Sequence, residues 1–403
     1  MGKNKVYFIS GFFSDSRKEE IYNNSKGVIQ FAADNLQRAI IQGFLENNVA
    51  PIIFNLPFIG SYPKRYKTSF FRNSKESFCN VTVENLDFNN FMLFKFFSRY
   101  KSLIEKFEKE KLTNDVLVIY SMNISFLKAA IDIKRKNKKI KICLIVPDLP
   151  EFMSDSKNII YRFLKTVEIY FLNKFISEVD FFVLLTEQMS KRLNIQNDRY
   201  VVVEGIYNNL KIDKSYDKDN DKFVIMYSGT LAKRYGIMNL LNVFSMIKNE
   251  DCELWICGDG DGRIEVVNFA NENKKVKYFG QLDYEKIIEM QKKADVLVNP
   301  RLPDEEFTQF SFPSKTMEYL ASGTPTITYK LEGIPSEYYP FLIFPESNDL
   351  DSLYQSILSV YSKTKEERTI LGMKAKSFIF ENKLPKNQTK KIIDLIFNHE
   401  NQR

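Results

Sequence analysis

Short runs of β-branched and aromatic residues alternate along the chain with longer segments of helical period, the pattern of α/β proteins built on parallel sheets. In the first half the spacing predicts strands over Val6–Ser10, Pro51–Asn55, Asp115–Tyr120, Lys141–Val146, Phe181–Leu185 and Tyr200–Val203, with helices such as Asn35–Glu46 and Ser125–Lys136 between several of them. Their continuous apolar character predicts burial on both faces. The stretch 207–222, rich in Asn, Asp and Lys and nearly free of apolar residues, reads as a linker. Beyond it the alternation restarts, with strands expected over Phe223–Tyr227, Glu253–Cys257, Lys277–Phe279, Asp295–Asn299, Thr326–Tyr329 and Leu342–Phe344. The tail from Phe378 to Phe397 contains Pro385 and a helical pattern in Ile392, Ile393, Leu395 and Ile396. The expected division is a first domain 1–206, a linker 207–222, a second domain 223–377 and a helical segment 378–403 able to pack on either domain. Two doubly wound, Rossmann-like domains facing a central cleft would bind ligands beyond the carboxyl ends of their strands.

Composition narrows the chemistry. The 403 residues suffice for two to three domains of about 150 residues. The longest apolar runs, such as Phe181–Leu185, fall far short of a membrane span, and the N-terminus lacks the apolar segment of a signal peptide, so an intracellular protein is expected. The single histidine, His399, lies near the C-terminus, which excludes histidine triads and two-histidine metal sites unless the tail folds into a site. Four cysteines form no CxxC pair, so neither a disulfide nor a zinc site is expected. Acid and base roles fall to carboxylates, Lys or Tyr. Residues 1–200 carry 31 Lys+Arg against 21 Asp+Glu, and the rest 27 against 30, so the halves differ as +10 and −3. A basic first half suits nucleic acid, phosphorylated molecules or an anionic membrane surface, although no nucleic-acid recognition motif accompanies it; a solvated basic face explains it equally well. Two segments, Phe91–Lys111 and Lys64–Arg72, interleave aromatic and basic residues as an interfacial element would, although a core helix with snorkelling lysines has the same pattern.

Three turns could carry ligand chemistry. The strand Phe223–Tyr227 runs into Ser228-Gly229-Thr230-Leu231-Ala232-Lys233-Arg234-Tyr235-Gly236-Ile237, a glycine turn before a helix with Lys233 and Arg234 as candidate phosphate cations. The next strand ends in Cys257-Gly258-Asp259-Gly260-Asp261-Gly262, whose spacing is wrong for a dinucleotide loop and which reads as a tight turn at Gly258 admitting a ligand. The third, Phe310-Ser311-Phe312-Pro313-Ser314-Lys315-Thr316-Met317-Glu318 through Gly323-Thr324-Pro325, predicts a short helix with Pro313 in its first turn, Ser311 as a cap and Gly323 at its end. Ser311, Phe312 and Ser314 would offer N–H and hydroxyl groups to a diphosphate, Lys315 would add charge and Glu318 would accept from ribose hydroxyls. Each turn alone is also consistent with an ordinary turn bearing solvated residues.

Together, the ordered set of YSG, a basic pair with YGI, ICGDGD, ADVLVNP and FPSKTMEYLASGTP resembles the donor-binding domain of the retaining glycosyltransferases of family 4, which have the GT-B fold. The resemblance covers residues 223–330 by motif and the rest by architecture, and its FPSK form is similar to a branch of bacterial capsule and exopolysaccharide transferases. It implies a nucleotide-diphospho-sugar donor, no metal cofactor, and a glycan or polyprenyl-linked glycan acceptor; no nucleic-acid partner is expected, since no recognition motif supports one. By the same matching Glu318 is the second glutamate of the family's Glu-x7-Glu motif, Gly229 lies in the phosphate turn, and Arg234 and Lys315 stabilise the leaving diphosphate. The first glutamate of that motif is replaced by Phe310. In the first half Gly27 resembles the glycine-containing acceptor loop, while Asp148, Glu187 and Glu204, at strand ends, are candidates for acceptor hydroxyls; turn carboxylates are an equal alternative for each. The competing readings are a GT-B sugar-nucleotide epimerase and a non-catalytic nucleotide-sugar or glycan-binding subunit.

Overall fold

The computed structural model describes residues 4–27, 29–152, 159–208 and 221–398. Chain packing divides the protein into a first unit, Met1–Ile206 with Pro385–Arg403, and a second unit, Tyr207–Leu384.

The first unit contains β1 (Val6–Ser10), β2 (Ile52–Asn55), β3 (Phe70–Phe71), β4 (Ser74–Phe78), β5 (Val81–Asn85), β6 (Phe88–Asn89), β7 (Val116–Tyr120), β8 (Lys141–Val146), β9 (Phe181–Leu184) and β10 (Tyr200–Val202). Eight of them form one sheet in the order β10-β9-β8-β7-β1-β2-β5-β4, and β3 pairs β6 separately. All neighbours in the large sheet are parallel except β4 and β5. This hairpin was not predicted, because its signal is weak. Cys79 and Asn80 turn the chain with φ of 49° and 68°, the two left-handed residues of a tight hairpin, without the glycine that usually marks one. The outer strand β4 is half-exposed and charged, as an edge strand is.

The second unit contains β11 (Phe223–Ser228), β12 (Cys252–Cys257), β13 (Val276–Tyr278), β14 (Val296–Asn299) and β15 (Thr326–Thr328) in one parallel sheet, ordered β13-β12-β11-β14-β15. The strand expected over Leu342–Phe344 is reduced to a bridge between Ile343 and Ile327. β11, β12 and β14 are buried on both sides, as their sequences predict.

The division differs from the expected one at both ends of the second unit. Position 377/378 falls inside the helix Lys365–Asn382, whose Phe378 and Ile379 belong to the second unit's core. The chain changes unit at Leu384–Pro385, and the helix Pro385–Asn398 packs along the helix Phe31–Glu46, burying Ile392 and Ile396 in the first unit's core. At Gly43 on that contact a β-carbon would lie 2.1 Å from the Thr389 hydroxyl, so glycine lets the two helices close. Tyr207, assigned to the linker, is buried against Phe380 in the second unit, its N–H donating to the Lys383 carbonyl at 2.8 Å. Linker positions 209–220, like His399, lie outside the described residues.

Each sheet has a point where strand order reverses, between β1 and β7 in the first unit and between β11 and β14 in the second. The loops leaving those strand pairs diverge to opposite sides and leave a crevice in which ligands of open α/β sheets bind.

Candidate functional site

At the second unit's reversal point Gly229 follows β11, and its N–H donates to the Cys257 carbonyl at 3.0 Å. Gly258 faces it with φ +135°, and a β-carbon there would stand 1.8 Å from the Gly229 carbonyl oxygen. Only glycine lets these two turns touch. The basic pair divides. Lys233 forms an ion pair with Glu265, and its backbone N–H donates to Asp261 at 2.9 Å, so its charge is taken up within the protein. Arg234 is exposed and lies over the rings of Tyr235 and Phe307, at 5.2 and 5.5 Å.

The same two rings carry a second arginine that sequence reading left without a role. Arg301, just after β14, lies 4.4 Å from the centre of Phe307 and 5.1 Å from that of Tyr235. It is buried, its Nη2 donates to Ser311 Oγ at 3.0 Å, and its Nε has no partner. Burial lowers its pKa from the ordinary guanidinium value. Its place at a strand end, behind Pro300, was the available signal.

Ser311 therefore accepts from Arg301 and does not cap the following helix, Ser314–Ser322. Pro313 occupies the cap position, and no side chain caps the first turn, which leaves N–H groups for an anion or water. Ser314 opens this helix on the exposed side, and Gly323 ends it with φ +80°, as expected. The Phe312 side chain packs in the core against Tyr338, with ring centres 5.3 Å apart, so only its backbone can serve a ligand. Phe310 is buried as well.

Glu318 is the centre of a polar network. Its Oε1 accepts from Lys315 Nζ at 2.9 Å and from Gln291 Nε2 at 2.6 Å, and Gln291 also donates to Ser228 Oγ at 2.9 Å. Tyr319 completes it, bonding both the N–H and the carbonyl of Ser228 at 2.8 and 3.0 Å. Among the described residues no group donates to Glu318 Oε2. The network ties the helix to the end of β11 and fixes the Glu318 carboxylate. Gln291, fully buried in the last turn of helix Tyr284–Lys293, was not foreseen.

In the first unit the loops after β1, β7 and β8 surround a cavity of about 600 Å³, lined among others by Phe13, Gly27, Arg99, Ser121, Asn123 and Asp148. Helix Phe31–Glu46 fixes the loop after β1: Asp34 accepts from the Phe13 N–H at 2.6 Å, and Gln37 from the Gly11 N–H at 2.7 Å. A β-carbon on Gly27 would meet nothing within 4 Å, so the glycine keeps the rim open and is not required by packing. Ser121, which lines the cavity, holds φ 73°, a left-handed conformation unusual outside glycine. Asp148 remains accessible through the cavity, while the surrounding protein withdraws enough water to raise its carboxyl to about 6.

Gly27 and Asp148, far apart in sequence, thus line one cavity. The other two acceptor candidates do not line it. Glu187 is exposed at a helix start and accepts from the Tyr200 hydroxyl. Glu204 is buried beyond β10. Of the two aromatic–basic segments, Lys64–Arg72 buries Tyr66 and Phe71, whereas helix Met92–Phe107 leaves Met92, Leu93, Phe94 and Phe97 more than 60% exposed. Among the described residues no helix is long and apolar enough to cross a membrane.

Residues 208–378 match the family model described as glycosyl transferases group 1. No sequence among the curated proteins matches the chain. Among solved structures, a sucrose-phosphate synthase from Thermosynechococcus elongatus aligns with a TM-score of 0.65 at 13% identity, covering 99% of this chain and 100% of that one. The lipopolysaccharide outer core galactosyltransferase WaaB, in its apo form, aligns with a TM-score of 0.63 at 14% identity over 98% and 99% of the two chains. Anabaena HepE, solved with UDP, aligns with a TM-score of 0.64 at 11% identity over 97% and 99%. At these identities the likeness shows the fold, which is GT-B. Residues 208–378 thus match a glycosyl transferases group 1 domain, within a chain whose fold is GT-B, and together these support a glycosyltransferase enzyme.

Proposed function

We propose that the protein is a retaining transferase of the family 4 type that moves a sugar from a nucleotide-diphospho-sugar, held by the second unit, to a glycan or lipid-linked glycan acceptor, held by the first, in bacterial surface polysaccharide synthesis. The observation that carries this reading is the Ser228–Gln291–Glu318–Lys315 network, which turns a carboxylate toward the reversal point of the second sheet beside an uncapped helix start and two arginines. Glu318 accepts from the ribose hydroxyls. The bond from the sugar's anomeric carbon to the diphosphate oxygen breaks, and Arg234, Arg301, Lys315 and the first turn of helix Ser314–Ser322 stabilise the departing charge, a role that requires no resident metal. The acceptor oxygen bonds to the anomeric carbon and its proton passes to the leaving phosphate. Asp148 orients the acceptor hydroxyl. With Phe310 in place of the motif's first glutamate, the donor sugar lacks that carboxylate, a subgroup variation of the capsule-type branch that the FPSK segment resembles. The protein works at the cytoplasmic membrane surface, reached through the exposed face of helix Met92–Phe107.

Calorimetric titration of UDP, GDP, TDP and ADP tests the donor reading. One of them is expected to bind selectively, with or without magnesium, and Glu318→Ala to weaken it by about 1.5–3 kcal/mol. Unchanged affinity in that variant removes Glu318 from the site, and no binding by any nucleotide overturns the transferase reading. Release of the nucleotide only in the presence of a glycan separates transfer from epimerisation.

A further inference from the structure

A buried cation lines the first unit's cavity, and no carboxylate among the described residues pairs with it. Arg99 lies on the inner side of helix Met92–Phe107, is only 4% exposed, and forms part of the cavity wall. Its Nη2 donates to the Pro57 carbonyl at 2.6 Å and its plane lies 4.4 Å from the centre of Phe88, but its Nε is buried with no partner. A guanidinium carries five donors, and burying it with so few satisfied is costly unless an anion completes it. Burial lowers its pKa to about 9, so it stays charged at neutral pH. One turn away Lys95 also points inward, its Nζ donating to the Ile59 carbonyl at 2.5 Å. Burial, and then the charge of Arg99, lower that amine to about 6, as expected beside an uncompensated positive charge. At the cavity rim Lys26 and Arg65, both exposed, add two cations against the acids Asp148 and Glu168.

We propose that this cavity takes an acceptor bearing an anionic group, a phosphate or a sugar carboxylate, which Arg99 binds through its unused donors while Arg65 and Lys26 draw it in. The proposal rests on the reading of the cavity as the acceptor site, and it narrows the substrate class from glycans in general to anionic ones. The phosphate could join a sugar to a lipid carrier or stand on a free sugar; the chemistry at Arg99 is the same.

The test is calorimetric titration of the full chain with glucuronate, glucose 1-phosphate and farnesyl diphosphate, with and without a saturating nucleoside diphosphate. At least one probe is expected to bind the unmodified protein, more weakly at high salt. Arg99→Gln is expected to weaken it about ten- to a hundredfold and Arg65→Gln about threefold, with nucleotide affinity unchanged in both. The preferred probe then distinguishes a carboxylate, a free phosphate and a lipid-borne one. The proposal is overturned if no probe binds at millimolar concentration or if Arg99→Gln binds every probe as the unmodified protein does. Should Arg99→Gln fail to fold, unchanged binding by Arg65→Gln, a surface variant, overturns the steering role, and Arg99→Lys, with its charge kept and its forked donors removed, tests the buried contact. Loss of nucleotide binding in the unmodified protein overturns the transferase reading instead, since the probe titrations without nucleotide stand apart from it.

Discussion

Lys233 and Arg234 stand side by side in the chain, and the fold gives their charges different surroundings. Lys233 pairs with Glu265, whereas Arg234 shares the Tyr235 and Phe307 rings with Arg301. Steady-state kinetics are therefore expected to show a large drop in kcat for Arg301→Gln and for Arg234→Ala, and near-normal turnover for Lys233→Ala; equal losses for Lys233 and Arg301 contradict this assignment. In the first unit, Asp148 has a folded pKa near 6, above the ordinary carboxyl value, so its carboxylate forms only as pH rises through 6. Efficiency toward the acceptor is expected to fall below about pH 6, and Asp148→Asn to flatten that limb; a pH profile identical in the two proteins removes the role. Glu318, Lys315 and Gly229 could be singled out from sequence because a helix start or a glycine turn is a local property of neighbouring residues. Arg301 and Gln291 could not, because their roles depend on contacts with Phe307 and Ser311 in one case and with Ser228 and Glu318 in the other.

Helix Met92–Phe107 shows how one element can serve two environments. Its inner side buries Arg99, Leu103 and Phe107, while Met92, Leu93, Phe94 and Phe97 project outward, with exposed Lys101 beyond them. The helix thus packs one face in the core and leaves an aromatic face exposed. Four large apolar side chains left in water on one helix would gain about 25 cal/mol per Å² on burial, enough for an interfacial contact. Cosedimentation with vesicles containing anionic lipid is expected to fall sharply for the double variant Phe94→Ser, Phe97→Ser, with the melting temperature unchanged; equal cosedimentation speaks against the membrane role. In segment Lys64–Arg72 the same composition has a different fate, since Tyr66 and Phe71 are core residues. Composition is alike in the two segments, and only packing separates them.

At the scale of the whole molecule, the C-terminal helix Pro385–Asn398 belongs to the first unit although it follows the second in sequence. Removing residues 385–403 uncovers Ile40, Ile41 and Phe44, which share the core with Ile392 and Ile396. The truncated chain is expected to lose the low-temperature stability of the first unit in calorimetry while the second still binds nucleotide; an unchanged first transition contradicts this. The alternation of apolar runs and helical segments, restarting after 222, determined by itself that the protein is α/β with two parallel sheets, since strand burial and helix period are written in short windows of sequence. It also carried the three turns at the strand ends of the second sheet, whose geometry is that of consecutive residues. Strand order, the β4–β5 edge hairpin, the unit to which the last helix returns and the cavity that joins Gly27, Arg99 and Asp148 were decided only by tertiary structure. Each of these depends on which distant surfaces exclude water from one another, and that balance is struck between segments that no local window contains.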